Sequence, residues 1–535
     1  MRTLPILEES SFERRHAVRY YQKHLLIMIA VSILLFTMLA CNLVRLLSLA
    51  ATPTLPAETK QTPSLPPQPT QPGAAPTCLA LPLASIPANR QFPNECPPYP
   101  PDFQFVEVPD PLSGQNLTYP LIPRVEPAVG ECFTDQHFGT VLRRVTRTDG
   151  YNSRHEYSRI DPLNADQSMV LLVTEQGTYI VYCTQSVPYN QEGNLLMEVS
   201  LAEPRWDPVD PNLLWALQDF AIVNVNLVTQ EITMVKDFTQ DGRIGPLIAQ
   251  GTTYRATMMD EGETSNDKRF WAFSLQGNEK VDYRHQYFFT WDREKDEVLG
   301  VYPDGKPIPS DQADIDWIGM SSLGNWVLIG GMSENQGNLA GLTMTTKNFS
   351  QFYRLDYTTS HADVGLDANG KEVVVMQNSN TDYIDLIPLN PSTKPIVEAG
   401  GSYQGTGHIP LMRLFYSSDS PDGLNSGVHI SCNTPGYCFI STTIPKGATE
   451  QNWLDRSLLL ARLDRNHPRV FYLAKLYNTI SEQPRVYWDE THGSITNDGS
   501  MLVWAENWGN HVGEAQIFMM QLIMPFNWRR LTGQP

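Results

Sequence analysis

Histidines and carboxylates recur at one distance before a glycine-containing turn. His429, His492 and Asp363 each stand seven residues before the turn glycine, Asp316 lies one residue out of step, and His361 stands two residues before Asp363. Imidazole nitrogen and carboxylate oxygen are the ligands that bind zinc and related divalent cations. If these positions converge in the folded chain, they predict a divalent-metal or ligand site.

The turns belong to a unit that repeats through residues 135–535. Each unit opens with a short polar strand, passes a turn of Asn, Asp or Gly, and continues into an apolar strand that one or two further strands follow. The seven turns fall near residues 167, 212, 267, 324, 370, 436 and 499. A spacing of about 45–65 residues is typical of four-stranded blades with loops of variable length. We therefore predict an all-β, seven-bladed β-propeller, with six or eight blades as alternatives.

A propeller would bring the chemical residues together. The first strand of every blade lines the central channel, so equivalent positions form a ring at one mouth of it. We expect His361, His429 and His492 to meet there, with Asp363 or Asp316 nearby. The alternative is structural, because polar residues at the start of inner strands also hydrogen-bond the neighbouring blade.

The end of the chain predicts how the ring closes. After residue 494 the sequence has room for about three strands, and a blade left incomplete would expose an edge. Residues 139–146 (GTVLRRVT) lie ahead of the first unit and have the pattern of a lone strand. We expect this segment to be the outer strand of the last blade.

Two motifs connect the chain to known propellers. The segments 494–504 (SITNDGSMLVW) and 367–375 (DANGKEVVV) resemble the TolB-like, or PD40, repeats of bacterial propellers. This resemblance covers about residues 135–525 and implies a fold without implying a function. The positions of His361, His429 and His492 are also similar to those of the metal-binding histidines of oligogalacturonate lyase, a seven-bladed propeller. That similarity implies a divalent metal and a polysaccharide lyase activity.

Aromatic and basic residues near blade entrances are candidates for ligand binding. Trp488 and Trp508 would suit stacking on a carbohydrate if they are exposed beside the channel, whereas packing between blades is the structural alternative. A lyase acting on uronates also needs arginines for the carboxylates, and Arg205 and Arg485 are candidates because they lie near blade starts.

The N-terminal region predicts a tether. Residues 25–44 are twenty residues without a charge, long enough at about 1.5 Å per residue for a transmembrane helix. Because four basic residues stand at positions 14, 15, 19 and 23, close before this span, residues 1–24 should be cytoplasmic and the remainder exported. Residues 45–76 form a proline-rich linker, and residues 77–134 an irregular segment packed on the propeller, which occupies residues 135–535.

The cysteines fit this location. Cys41 ends a lipobox-like Met-Leu-Ala-Cys run, so a lipidated Cys41 is the alternative to an uncleaved signal anchor. Six cysteines remain in the exported part, an even number that permits disulfides. We expect Cys432 to pair with Cys438 across a Pro-Gly turn, and Cys78 with Cys96.

Charge and missing motifs exclude several functions. The net charge is −19, and residues 51–535 hold 33 basic and 55 acidic groups, so this part would repel nucleic-acid phosphates. The sequence contains no GxSxG elbow, P-loop, HExxH or EF-hand loop. The first hypothesis is therefore a membrane-tethered extracytoplasmic propeller that binds a protein or a glycan without catalysis. The second is a metal-dependent polysaccharide lyase or hydrolase. An exposed His/Asp/Glu cluster would favour the second, and a channel plugged by loops would favour the first.

Overall fold

The computed structural model describes Cys78 and residues 96–534, apart from 114–115, 149–151, 379, 396–406, 416–427, 451, 482–485 and 515. Within these residues the chain forms seven antiparallel sheets that follow one another along the sequence. The prediction of an all-β, seven-bladed propeller is confirmed.

The first four blades each contain four consecutive strands, because short turns join apolar runs rich in β-branched and aromatic residues. Strands are numbered along the chain, with β1–β3 described below. Blade 1 contains β4 Ser153–Arg154, β5 Met169–Thr174, β6 Tyr179–Cys183 and β7 Leu195–Val199. Blade 2 contains β8 Ala202–Trp206, β9 Leu213–Gln218, β10 Ala221–Asn226 and β11 Glu231–Asp237. Blade 3 contains β12 Thr253–Thr257, β13 Phe270–Gly277, β14 His285–Asp292 and β15 Glu297–Tyr302. Blade 4 contains β16 Ile315–Met320, β17 Trp326–Gly331, β18 Leu342–Thr346 and β19 Phe352–Arg354.

The last three blades have the same antiparallel order from the inner strand outward. Blade 5 contains β20 Ala362–Leu366, β21 Glu372–Asn378, β22 Tyr383–Pro388 and β23 Ile409–Arg413. Blade 6 contains β24 Val428–Ser431, β25 Tyr437–Thr442, β27 Ser457–Arg462 and β28 Arg469–Lys475. Blade 7 contains β30 Ser494–Ile495, β31 Met501–Glu506 and β32 Phe518–Ile523. Two short strands form a parallel pair. The strand β26 (Ile444–Pro445) follows β25, and the strand β29 (Thr479–Ile480) follows β28.

Chain segments ahead of blade 1 complete the last two blades. The strand β3 (Val141–Arg144) pairs with β32 as the outer part of blade 7, as predicted, and β2 (Cys132–Thr134) adds a fifth strand beyond it. The strand β1 (Val106–Glu107) pairs with β28 on the outside of blade 6. The outer edges of both blades are thus covered by the chain itself.

The helices are short and lie in connections. The α-helices are α1 Gly245–Ile248 and α2 Trp528–Leu531. The 3-10 turns are Glu192–Asn194, Phe238–Gln240, Glu279–Val281, Gly337–Leu339 and Tyr487–Asp489. No helix among the described residues has the length and apolar character needed to cross a membrane. The predicted span 25–44, the linker and Cys41 lie outside the described residues.

The core consists of apolar clusters between neighbouring blades. Strands β14 and β21 are buried along their whole length, since their two faces pack against adjacent sheets. The turn glycines Gly370 and Gly499 adopt φ of 70° and 72°, a left-handed conformation that glycine takes without steric cost. At Gly499 a Cβ atom would also lie 2.4 Å from the ring of Trp528.

Three disulfides bond the six cysteines of the described part. Cys432 pairs with Cys438 as predicted. The predicted Cys78–Cys96 pair is wrong, because Cys78 bonds Cys183 at the end of β6 and Cys96 bonds Cys132 in β2. Both bonds tie the segment ahead of blade 1 to the propeller. A spacing of eighteen residues in sequence could not reveal that each cysteine lies beside a strand.

Candidate functional site

The central channel is crossed by a segment of the chain. After the two-residue strand β4 the chain leaves the sheet, and residues 155–160 (HEYSRI) extend across the channel. Every residue of this plug, as we call residues 155–160, is buried except Glu156, which is half-buried. Bonds at both ends tie it to blade 7. Nε2–H of His155 donates to the carbonyl of His492, and the Ser494 hydroxyl donates to the carbonyl of Ile160.

Side chains of the plug reach the inner strands of blades 2 and 4 and the connection between the first two strands of blade 3. Glu156 forms an ion pair with Arg205 of blade 2 at 3.0 Å. The Arg159 guanidinium lies 3.2 Å from the Glu261 carboxylate and 4.4 Å from the ring centre of Trp317 in blade 4. The channel is therefore closed by the protein's own chain at this level.

Two histidines and a glutamate meet beside the plug. His429 stands in β24, while Glu490 and His492 precede β30. One carboxylate oxygen of Glu490, Oε2, lies 3.3 Å from Nε2 of His429 and 3.4 Å from Nε2 of His492. One ligand atom from each residue can be chosen such that all three lie within 4.8 Å of one another, and all three residues are buried. This His–Glu cluster is the candidate metal centre.

The dimensions of the cluster fit a small divalent cation. Zinc bonds histidine and carboxylate ligands at about 2.0–2.2 Å, so ligand atoms around a tetrahedral ion lie about 3.3 Å apart. The two nitrogen–oxygen distances match that spacing. Nε2 of His492 faces the shared oxygen of Glu490, so it is the ring nitrogen placed to serve as a ligand atom.

His361 lies next to this cluster. Its ring centre is 4.8 Å from that of His429, with the planes 72° apart. Its Nδ1 is 2.9 Å from the hydroxyl of Tyr157, and the Tyr157 ring packs edge-on against His429 and His492. The three predicted histidines therefore come together, and Tyr157 of the plug contacts all three of them.

Burial favours the neutral form of two imidazoles of this region, His492 and His155. It lowers the pKa of His492 well below its usual value, and the nearby Arg154 cation lowers it further. Burial, again with Arg154, lowers the pKa of His155 to about 3. His492 also has a φ of 47°, which is uncommon for a residue with a side chain and is often found at functional sites. Neutral imidazole is the form that binds a metal.

A buried arginine lies beside the cluster. Arg154 in β4 is fully buried, and its Nε and Nη1 groups have no hydrogen-bond partner among the described residues. Its guanidinium lies 4.8 Å from the ring centre of Tyr487 and 4.9 Å from that of Trp488. Burial lowers the pKa of Arg154, and the phenol of Tyr487 and the carboxylate of Glu490 oppose that shift. Unpaired donors of this kind suit an anion that would enter from the side of Tyr487 and Trp488.

The two predicted aspartates are not part of the cluster. Asp363 is buried in β20, and its Oδ2 accepts the backbone N–H of Cys432 in the next blade. Burial raises its pKa to about 8. Asp316 lies in β16 of blade 4, and the residues that meet are His429, Glu490 and His492. The carboxylate of the centre comes from Glu490 instead.

Two predicted ligand-binding residues are structural. Trp508 is buried, with its ring stacked 3.9 Å from that of Tyr477 and its Nε1–H donating to the carbonyl of Arg124. Arg205 is buried in ion pairs with Glu156 and Glu263. Both side chains are thus engaged in contacts within the protein. Trp488 remains half-exposed, and Arg485 lies outside the described residues.

Sequence reasoning missed three residues of the site. Glu490 stands two residues before His492, and this spacing was the available signal. Tyr157 and Arg154 gave no such signal, since the plug follows a strand of two residues and has no counterpart in the other blades.

Comparisons with known proteins add the following. No family model and no curated protein matches the sequence. Among solved structures, oligogalacturonate lyase from Vibrio parahaemolyticus shares 12% identity over 74% of this chain and 97% of its own, with a TM-score of 0.46. An oligogalacturonate lyase in complex with manganese shares 11% over 74% and 96%, with a TM-score of 0.47. The WD40 repeats of RRP9 share 11% over 73% and 100%, with a TM-score of 0.37. Likenesses this weak carry no argument about function.

Proposed function

We propose that the chain is a membrane-tethered, extracytoplasmic β-propeller that binds a protein or a glycan and does not act as an enzyme. The plug carries this proposal. Tyr157 packs against the His–Glu cluster and is itself buried, so within the described part of the chain the plug separates the histidines from a polymeric substrate. Recognition would then use the faces and edges of the blades, as is common for propellers.

The location rests on two observations of different kinds. Residues 25–44 have the length and composition of a signal anchor. All six cysteines of the described part are paired, and disulfides persist mainly in oxidising compartments outside the cytosol. The TolB-like assignment is compatible with such a location and stays a prediction.

We further propose that the His–Glu cluster binds one divalent cation as a structural centre. His429, Glu490 and His492 would hold the ion. Since His429 belongs to blade 6 and the other two residues to blade 7, the ion would link the two blades next to the point of closure. If such an ion were accessible to a substrate, it would act as a Lewis acid.

The test of the main proposal compares binding with turnover. Full-length protein in detergent is loaded with manganese or zinc and incubated with oligogalacturonate and with neutral oligosaccharides. We expect no ultraviolet absorbance from unsaturated uronate products, with or without metal. Metal-dependent product formation that disappears in the His492→Ala variant would overturn the non-catalytic proposal.

Metal-dependent lyase activity is the second candidate function. It is favoured by Arg154, whose unpaired donors lie beside the cluster and would suit a uronate carboxylate. This candidate requires that the plug or the turn with Tyr487 and Trp488 move away. Tyr157→Ala removes the cover from the histidines, so turnover that appears in this variant alone would identify a latent enzyme.

A further inference from the structure

The outer strand of blade 2 is unusually exposed. Within the described residues β11 has β10 as its single neighbouring strand, so one of its edges is free. All four residues at its start, 231–234, are exposed, a pattern that no other described strand shows. Ile232 is 52% exposed and Met234 is 56% exposed.

The two apolar side chains lie on the same face. Successive residues of a strand point to opposite faces, so Ile232 and Met234 share one face while Glu231 and Thr233 share the other. A free edge that carries exposed apolar residues is a template for pairing with another strand. Natural proteins normally protect such an edge with a lysine, a proline or a bulge.

Protection is present at one end of β11 only. The ladder with β10 pairs Met234 with Val223 and Lys236 with Ile222, which leaves Val235 as the extra residue of a bulge. The Lys236 ammonium does not guard the edge, because it lies 2.7 Å from Asp296 and 3.3 Å from Asp241. The regular part of the strand is therefore left open.

We propose that β11 pairs antiparallel with β11 of a second copy of this chain, with Thr233 opposite Thr233 and Ile232 opposite Met234. This inference is independent of the proposed function. Most homodimers have a two-fold axis, and an axis perpendicular to the sheet keeps each face on its own side. The residue at the axis then faces its own copy, so the numbers of any two facing residues add up to an even number.

The composition of the strand selects one register among the allowed ones. With Thr233 at the axis, both apolar residues of each copy face an apolar residue of the other. With Met234 at the axis, Ile232 would face Lys236. With Ile232 at the axis, Met234 would face Gln230. In the proposed register the regular pairs are those of residues 232–234, and Glu231 and Gln230 face the bulged end of the other copy, at Val235 and Lys236, so no like charges are opposed. That matters for a chain with a net charge of −19.

The first test is oligomeric state. Sedimentation of the full-length protein in detergent should give a dimer, and the double variant Ile232→Lys, Met234→Lys should give a monomer with an unchanged circular dichroism spectrum. Leu117→Lys is the matched control, because Leu117 is 73% exposed and lies outside blade 2. A monomeric wild type, or a dimer that survives the double variant, would overturn the proposal.

The second test measures the register. Paired residues at the axis have Cβ atoms about 4.5–5.5 Å apart, within reach of a disulfide. In a Cys41→Ser background, Thr233→Cys should oxidise to a covalent dimer. Glu231→Cys should not, since each Glu231 faces Val235 of the other copy. Equal cross-linking of both variants, or of neither, would contradict the register.

Discussion

The imidazole rings of His429 and His492 lie stacked, with centres 3.9 Å apart and planes 27° from parallel. The first belongs to the inner strand of blade 6, and the second directly precedes the inner strand of blade 7. Two stacked aromatic rings at this distance are compatible with core packing. The shared carboxylate oxygen of Glu490 makes the same pair suitable for a metal. What separates this centre from solvent is the plug.

Removing the ring of Tyr157 should destabilise the propeller. Tyr157→Ala leaves a cavity against His429 and His492, and truncations of this size cost about 3–5 kcal/mol. Tyr157→Phe keeps the ring and loses the bond to His361, and a bond of this kind is worth about 1 kcal/mol. Urea denaturation measures both free energies of unfolding. Tyr357→Ala, at an exposed position, is the control and should change stability by less than about 0.5 kcal/mol. A Tyr157→Ala variant as stable as the control would show that the plug does not fill the channel.

Glu506 should make the fold less stable as the pH rises. Burial raises the pKa of this carboxyl to about 8 from an ordinary value of 4.5, while the indole N–H of Trp504 opposes the shift. Because the folded state holds a proton that the unfolded state has lost, stability falls between these two pH values. Glu506→Gln keeps the shape and the acceptor without the titration. We expect its melting temperature to fall less than that of the wild type from pH 5 to pH 8. Parallel curves would contradict the shift.

Peptide mapping without reductant should find three disulfides. The expected pairs are Cys78–Cys183, Cys96–Cys132 and Cys432–Cys438. Chains purified from membranes with an oxidising lumen or periplasm should yield no free thiol at these six positions. A Cys78–Cys96 peptide would contradict the placement of the segment ahead of blade 1. Free thiols at Cys432 and Cys438 would argue against export.

A shortened chain should be soluble. Residues 77–535 keep every cysteine of the three disulfides and omit the apolar span 25–44. We expect this fragment to elute as a folded species without detergent, and the full-length chain to sediment with membranes. If the fragment aggregates while the full-length chain in detergent does not, the boundary at Thr77 is wrong.

The blades could be predicted from sequence because the signal is local and repeats. A glycine or aspartate turn between a polar and an apolar strand occurs seven times, and the segment that contains β3 was the strand left over at the start. The boundaries of blades 2 and 3 were the least certain, since their turns lack the glycine. The partners of Cys78 and Cys96 are distant in sequence, and they could not be predicted, whereas the local pair Cys432–Cys438 could.

The site could be predicted only in part, for the same reason. His361, His429 and His492 stand at matching places in three consecutive blades, so a closed ring had to bring them together. Asp363 shares that periodic place but accepts a hydrogen bond from the backbone of the neighbouring blade, a partner that the spacing along the sequence does not reveal. Glu490 and Tyr157 belong to irregular segments, whose side-chain directions follow no period.

Anomalous diffraction from crystals of the zinc-soaked protein tests the central claim most directly. The account predicts one zinc ion bound by His429, Glu490 and His492, with Tyr157 still in place above it and the channel closed. Zinc-edge data should show no anomalous peak there in the His492→Ala variant, while His467→Ala, an exposed histidine, leaves it unchanged. If no zinc is bound at the cluster, the proposal of a metal centre is wrong. If zinc is bound but Tyr157 is displaced and the channel is open, the proposal of a closed, non-catalytic propeller is wrong.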